Sequence, residues 1–410
     1  MSWLASTCEA PMSRTPVGTV LLLASLTAIV PLSIDINLPA MPAIAADLQA
    51  SSSSVQSTVG TFLLGLCLGM LCYGPLADRF GRRPLLLAGG AVYLVATLAC
   101  IFASDIDQLV LARFFQALGG AAASVLGRAV VSDRFALTEA ARVLTLMHLV
   151  TMIATLLSPI VGSALLALTG WRSIFVALGL FVAVVMASTA WRLQESLPPS
   201  RRSASLGSAF LAYLGVLRAP LALAYMGCMG LALGGMFGFM TGSPFVYAEH
   251  FGLSPGQYAW LMALNFVSII GLTLINARLV RRHGPQRMIG IGVLLTLLAC
   301  AGLLHAALAE SVGLVQLVLC VMLYIGATGL LGANSIACLM ALFPNRSGAA
   351  AGLAISAQFA LASLCSGITA RVVGNDPGRL ALVMVCAGVG SAACYGLVLA
   401  WRRRARLVSR

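Results

Sequence analysis

A chain of 410 residues that is 60% hydrophobic and only 9% charged falls outside the composition of soluble domains. Its net charge of +13 rests on 25 basic residues, every one an arginine. With no lysine there is no Walker-type phosphate loop and no Schiff-base chemistry, so ATP hydrolysis and pyridoxal catalysis are excluded.

Apolar runs of ~20 residues, enough to cross a bilayer, recur along the whole length. Twelve spans are predicted, at 17–38, 54–77, 84–103, 108–131, 139–168, 172–193, 219–246, 255–280, 285–308, 312–342, 346–372 and 378–401. They divide the chain into a tail (1–16), a six-helix bundle (17–193), a polar linker (194–218), a second six-helix bundle (219–401) and a basic tail (402–410). Arg14 leads into the first span without a small-residue cleavage site, so this segment is expected to stay attached.

Arginine placement orients the spans. Loops on the side of both termini hold Arg14, Arg79, Arg82, Arg83, Arg134, Arg142, Arg192, Arg201, Arg202, Arg218, Arg278, Arg281, Arg282, Arg287, Arg346, Arg402, Arg403, Arg404, Arg406 and Arg410. The opposite side holds Arg172, Arg371 and Arg379, while Arg113 and Arg128 fall within the fourth span. By the positive-inside rule both termini are cytoplasmic. Arginines spread over short loops are topology signals, so the bilayer, rather than nucleic acid, is the expected partner. The eleven cysteines form no Cys-x-x-Cys pair, and His148, His250, His283 and His305 are not at ligand spacing. No metal or disulfide is expected.

The sequence also repeats. At an offset of 203, Asp78-Arg79-Phe80-Gly81 aligns with Arg281-Arg282-His283-Gly284, and at nearly that offset Arg142 aligns with Arg346. Two related halves place a substrate site between them near the midplane. The stretch Gly74 to Pro84 packs an acid, three arginines, two glycines and two prolines between apolar runs, which predicts a tight charged hairpin. Asp78 sits where a helix ends, an unfavourable place for an acid, so it needs a loop arginine or another helix's positive end as partner.

This loop resembles the signature loop of the major facilitator superfamily at every position, through Gly74, Asp78, Arg79, Gly81, Arg82 and Arg83. Other stretches look like the Bcr/CflA branch of drug:proton antiporters. They are Pro31 to Pro42 in the first span, Leu111 to Gly120 in the fourth and Ala154-x-x-x-Ser158-Pro159-x-x-Gly162-Ser163 in the fifth. In the second half they are Ser243 to Tyr247, Ala263 to Asn265 and Asn276 to Gly284. Ala154 and Ser163 replace two glycines usual in the fifth-span motif, and Asn37 stands where the branch commonly has tyrosine. The resemblance implies an all-α membrane protein of the major facilitator fold, with twelve helices in two pseudo-symmetric bundles. It also implies a bacterial inner-membrane exporter of drugs or small amphipathic compounds, not an enzyme, with protons as coupling ion and no cofactor. A monomer is expected. The alternative in the same fold is a proton-coupled exporter of an amino acid, peptide or sugar.

Asp35 is the only carboxylate placed within a span, and an acid there is a functional candidate by default. It reads as ~6 Å from the end of its span and Arg113 as ~9 Å into the fourth, so the two are expected to couple, directly or through water. The fifth-span motif of Ala154, Ser158, Pro159 and Gly162 reads as an interface between the halves that limits leak. Candidate cavity residues are Asn37, Gln116, Asn265, Asn334 and Gln358, with Phe237, Phe239, Met240 and Tyr258 as walls. Asp78 is expected to meet the start of the eleventh span, near Asn345, Arg346 and Ser347, in the outward-open state.

Overall fold

The computed structural model describes residues 17–202, 206–308 and 313–408. The tail 1–16 with Arg14, residues 203–205 of the linker and residues 409–410 lie outside the described residues. In chain order the α-helices are α1 (Val17–Asp35), α2 (Met41–Asp47), α3 (Ser52–Phe80), α4 (Arg82–Phe102), α5 (Ile106–Arg134), α6 (Leu137–Thr169) and α7 (Arg172–Arg192). They continue as α8 (Leu206–Leu217), α9 (Pro220–Phe245), α10 (Pro255–His283), α11 (Pro285–Leu308), α12 (Leu314–Leu342), α13 (Ser347–Val372) and α14 (Pro377–Val408). Among the described residues twelve stretches are long and apolar enough to cross a membrane, as the hydropathy predicts.

Three boundaries differ in ways that matter. The first span runs to Asp47: α1 ends at Asp35, Leu38–Ala40 form a 3₁₀ turn, and α2 carries the chain on. Pro39 and Pro42 stand at the start of these segments, where a missing N–H costs nothing. The far end is pinned because Asp47 accepts from Trp171 Nε1 at 3.0 Å and pairs with Arg172 at 2.6 Å. Second, the linker expected to be polar contains α8, whose run LGSAFLAYLGVL is apolar but too short to span. Third, the charged hairpin shrinks to one residue. Helix α3 continues through Asp78 to Phe80, and only Gly81, at φ +98°, separates it from α4. Its repeat partner Gly284, at φ +77°, makes the same junction between α10 and α11.

Small residues set the helix contacts. A Cβ on Gly69 would lie 2.5 Å from the Ala121 methyl of α5, and Gly65 packs against the Phe114 carbonyl of that helix. Gly230 and Gly234 of α9 pack on Leu361 and Cys365 of α13 in the same manner. Helix α3 faces α13, and α6 faces α10, where the first six spans meet the last six. At the arginine-poor end this seam is shut: Gln56 donates to the Gly374 carbonyl at 3.2 Å and Ser363 to the Gly60 carbonyl at 2.7 Å. At the arginine-rich end a cleft of about 490 Å³ separates Gly74, Asp78 and Arg128 from Tyr213, Gly348 and Gly352.

Candidate functional site

A central cavity of about 410 Å³ lies between the halves, walled by α1 and α6 on one side and by α9, α10, α12 and α13 on the other. Asp35 is on its wall, 3% exposed, and makes no hydrogen bond or ion pair among the described residues. The first span continues beyond Asp35 through the turn and α2 to Asp47, so this acid is interior rather than a solvated boundary residue. Phe237, Met240 and Gln358 also line the cavity.

Arg113 is 1% exposed and does reach α1, but not through Asp35. Its Nη1 donates to the Ser33 carbonyl at 3.0 Å and to Gln116 Oε1 at 2.6 Å, and its guanidinium lies 4.2 Å from the Phe62 ring centroid. The expected direct Asp35–Arg113 pair is absent, because residues two apart on a helix point about 200° apart. Ser33 faces into the first bundle and Asp35 faces the cavity. The polar network extends from Gln116 Nε2 to Thr97 at 2.8 Å, while Ser33 Oγ meets Tyr93 at 2.6 Å. Ser33, Tyr93 and Thr97 were not singled out in the sequence, since hydroxyls in apolar helices carry no distinguishing spacing.

Several other candidates sit elsewhere. Gln116 belongs to the Arg113 network rather than to the cavity wall. Asn334 donates to Asn276 Oδ1 at 2.8 Å and ties α12 to α10. Asn265 and Asn37 are buried, each with Oδ1 unpartnered, and neither lines the cavity. Tyr258 bonds Ser243 at 3.1 Å beside Pro39 and Pro244, in the packing that shuts the arginine-poor end, and Phe239 meets the Tyr247 ring edge to face. In the fifth-span motif, Ser158 bonds its own helix at Thr155, and Gly162 abuts the carbonyl of Ile36, the residue after Asp35. Its closest packing is therefore inside the first bundle, against the break in the first span, while Thr151 and Thr155 of the same helix face the cavity.

The charged loop is held by two acids that the motif did not reveal. Asp78 pairs with Arg82 at 2.7 Å, and Arg82 Nε also reaches Asp133 at 3.1 Å. Glu195, just after α7, accepts from the backbone N–H groups of Arg82 and Arg83 at 2.9 and 3.2 Å, capping the start of α4. Partial burial pushes the Glu195 carboxyl up, but the N–H groups of Leu197, Arg82, Arg83 and Ser196 outweigh it and hold the group below its ordinary value. Arg83 donates to the Ala190 carbonyl at 2.8 Å, and Arg79 lies over Phe80. Gly74 touches no neighbour within 4 Å of where a Cβ would be, and Arg346 lies against Gly215 of α8 rather than against Asp78.

Twelve membrane-crossing stretches around a cavity shut at one end and open at the other are the architecture of a solute transporter. Residues 23–367 match the model of the Major Facilitator Superfamily, and the chain belongs to that family. It is a multi-pass inner-membrane transporter of small molecules, not an enzyme. It is 30% identical over 390 residues to the uncharacterized MFS-type transporter YdgK of Bacillus subtilis (strain 168), covering 94% of this chain and 97% of that one. A bicyclomycin resistance protein homolog of Haemophilus influenzae is 27% identical, over 86% of this chain and 89% of its own. The multidrug resistance protein MdtL of Shigella flexneri serotype 5b is 29% identical, over 59% of this chain and 61% of its own. Among solved structures, the nucleoside transporter NupG shares the fold with a TM-score of 0.75 at 14% identity, over 93% of this chain and 98% of that one. A D-xylose-proton symporter does so with a TM-score of 0.73 at 17% identity, over 93% and 97%.

Proposed function

We propose that the protein is a proton-driven antiporter of the Bcr/CflA type that exports drugs or other small amphipathic compounds by alternating access. The observation that carries this reading is Asp35, an unpaired acid on the wall of a mostly apolar cavity between the halves. An ionisable group so placed either titrates or meets a charged ligand during the cycle. Relatives named for bicyclomycin and multidrug resistance support drugs as the cargo. Protons are the sole coupling ion and the working unit is a monomer.

The arginine distribution makes the open end cytoplasmic, so the cavity is here inward-facing. A carboxyl that passes between a desolvated and a wet setting can take a proton outside and release it inside. One positive charge moving inward at ~100 mV supplies roughly 2.3 kcal/mol, enough for about 50-fold accumulation of a neutral substrate on the other side. Arg113 fixes the end of α1 through the Ser33 carbonyl and so sets where Asp35 stands. In the outward-open state the arginine-rich cleft closes, and Asp78 meets the first turn of α13 near Asn345, Arg346 and Ser347, acting as a latch.

Purified protein in liposomes with a trapped pH indicator tests this reading against a panel of compounds. Amphipathic drugs are expected to drive proton movement on export. Proton movement with amino acids, peptides or sugars alone would replace drugs by a metabolite, and none with any exported compound would remove proton coupling.

A further inference from the structure

Among the described residues three carboxylate or guanidinium side chains line the path between the halves: Asp78 is paired with Arg82, and the proton cycle uses Asp35. The third is Arg128 on α5, which lines the arginine-rich cleft and is exposed to it. Its Nε and Nη2 bond only to Ser124, one turn back on its own helix, at 2.9 and 3.2 Å. Among the described residues no carboxylate lies within ion-pair distance, and Nη1 makes no hydrogen bond. Arg113 on the same helix is the opposite case, enclosed and bonded across to α1.

The depth of Arg128 can be read from its neighbours. Gly127 packs on Thr27 of α1, and Thr27 Oγ1 lies 3.3 Å from Thr151 Oγ1, on the wall of the central cavity. The Arg128 backbone therefore stands level with Thr27, beside the wall of the central cavity. Asp35 lies eight residues further along α1, about 12 Å in backbone depth at the helical rise, and the bonds to Ser124 draw the Arg128 guanidinium about one turn nearer to that level. The opposite wall is mostly apolar, with Met236, Phe237 and Met240 beside Thr273, Thr328 and Gln358.

We propose that Asp35 and Arg128 are the two ends of one binding site, and that the substrates taken up from the arginine-rich end are zwitterionic amphiphiles with a cationic and an anionic group on the order of 10 Å apart across an apolar body. Ser124 orients the guanidinium without neutralising it, which leaves a donor set suited to a carboxylate, sulfonate or phosphonate. A simple cation satisfies Asp35 and leaves Arg128 unmatched, and a simple anion does the reverse. A zwitterion of the right length matches both, so the site discriminates by the unmatched charge. The proposal rests on the exporter reading for its cavity but is tested by binding alone.

The probe is labelled ω-aminodecanoate, whose chain is long enough to span this separation, with decylamine, decanoate and the shorter ω-aminohexanoate as comparisons. Binding is measured on the detergent-purified full chain. Wild type is expected to bind ω-aminodecanoate about tenfold tighter than decylamine or decanoate, the scale of one charge-assisted hydrogen bond. Arg128→Gln should remove the advantage over decylamine, and Asp35→Asn the advantage over decanoate. The shorter ω-aminohexanoate should gain nothing in wild type, and that comparison needs no variant should Arg128→Gln fail to fold. Equal affinities, no saturable binding, an advantage surviving Arg128→Gln, or equal binding of the short and long zwitterions would each overturn the proposal. Selective binding without proton movement would keep the site and remove the antiport reading. Proton movement driven by decylamine without zwitterion selectivity would do the reverse.

Discussion

Arg113 is enclosed by Phe62, the Ser33 carbonyl and Gln116, and its Nε has no partner. Arg113→Met should therefore cost about 1–3 kcal/mol for each acceptor left unsatisfied, read as a lowered Tm of the purified protein. Tyr93→Phe removes only the bond to Ser33 and should cost about 1 kcal/mol in the same assay. The sequence made Arg113 legible as a buried charge, because an arginine inside an apolar span stands out. Its partner was not legible, since neighbouring positions on α1 face opposite ways and only packing decides which faces the bundle. The same blindness to facing misplaced Gln116 and Asn334. Both are amides at membrane depth, and both bond to side chains of other helices instead of lining the cavity.

At the scale of single elements, the break in the first span and the Gly81 junction each depend on distant contacts. Gly162 abuts the Ile36 carbonyl, so Gly162→Ala forces α6 away from the residue next to Asp35. It should cost about 1–3 kcal/mol by overpacking and impair transport more than its stability loss explains. At the Gly81 junction, Glu195 is held below its usual value near 4.5, so its cap adds stability above that value and loses it as pH falls through the lower folded value. The Tm of wild type should thus fall toward that of Glu195→Gln below about pH 4.5, a difference of no more than about 1 kcal/mol for a group still partly open to solvent. The motif residues of the junction were readable from their order in the chain. Glu195 and Asp133 were not, because they arrive from the ends of α7 and α5 with no spacing to announce them.

Across the whole molecule, the spans and the repeat were readable because bilayer thickness and loop charge act on composition directly. The state of the molecule was not, since which end is shut depends on side-chain fits such as Gln56 on Gly374 and Ser363 on Gly60. With the cleft open, Asp78 pairs only with Arg82 among the described residues. In a chain freed of native cysteines, Asp78→Cys and Ser347→Cys should crosslink mainly in the outward-open state, and crosslinking mainly in the inward-open state would remove the latch. The role of Asp35 meets its most direct test in liposomes, where wild type and Asp35→Asn are compared for the same exported compound with and without a pH gradient. Asp35→Asn should still exchange substrate down its concentration gradient, but substrate should no longer move protons and uphill accumulation should vanish. Uphill transport by Asp35→Asn equal to wild type would show that Asp35 does not carry the coupling proton.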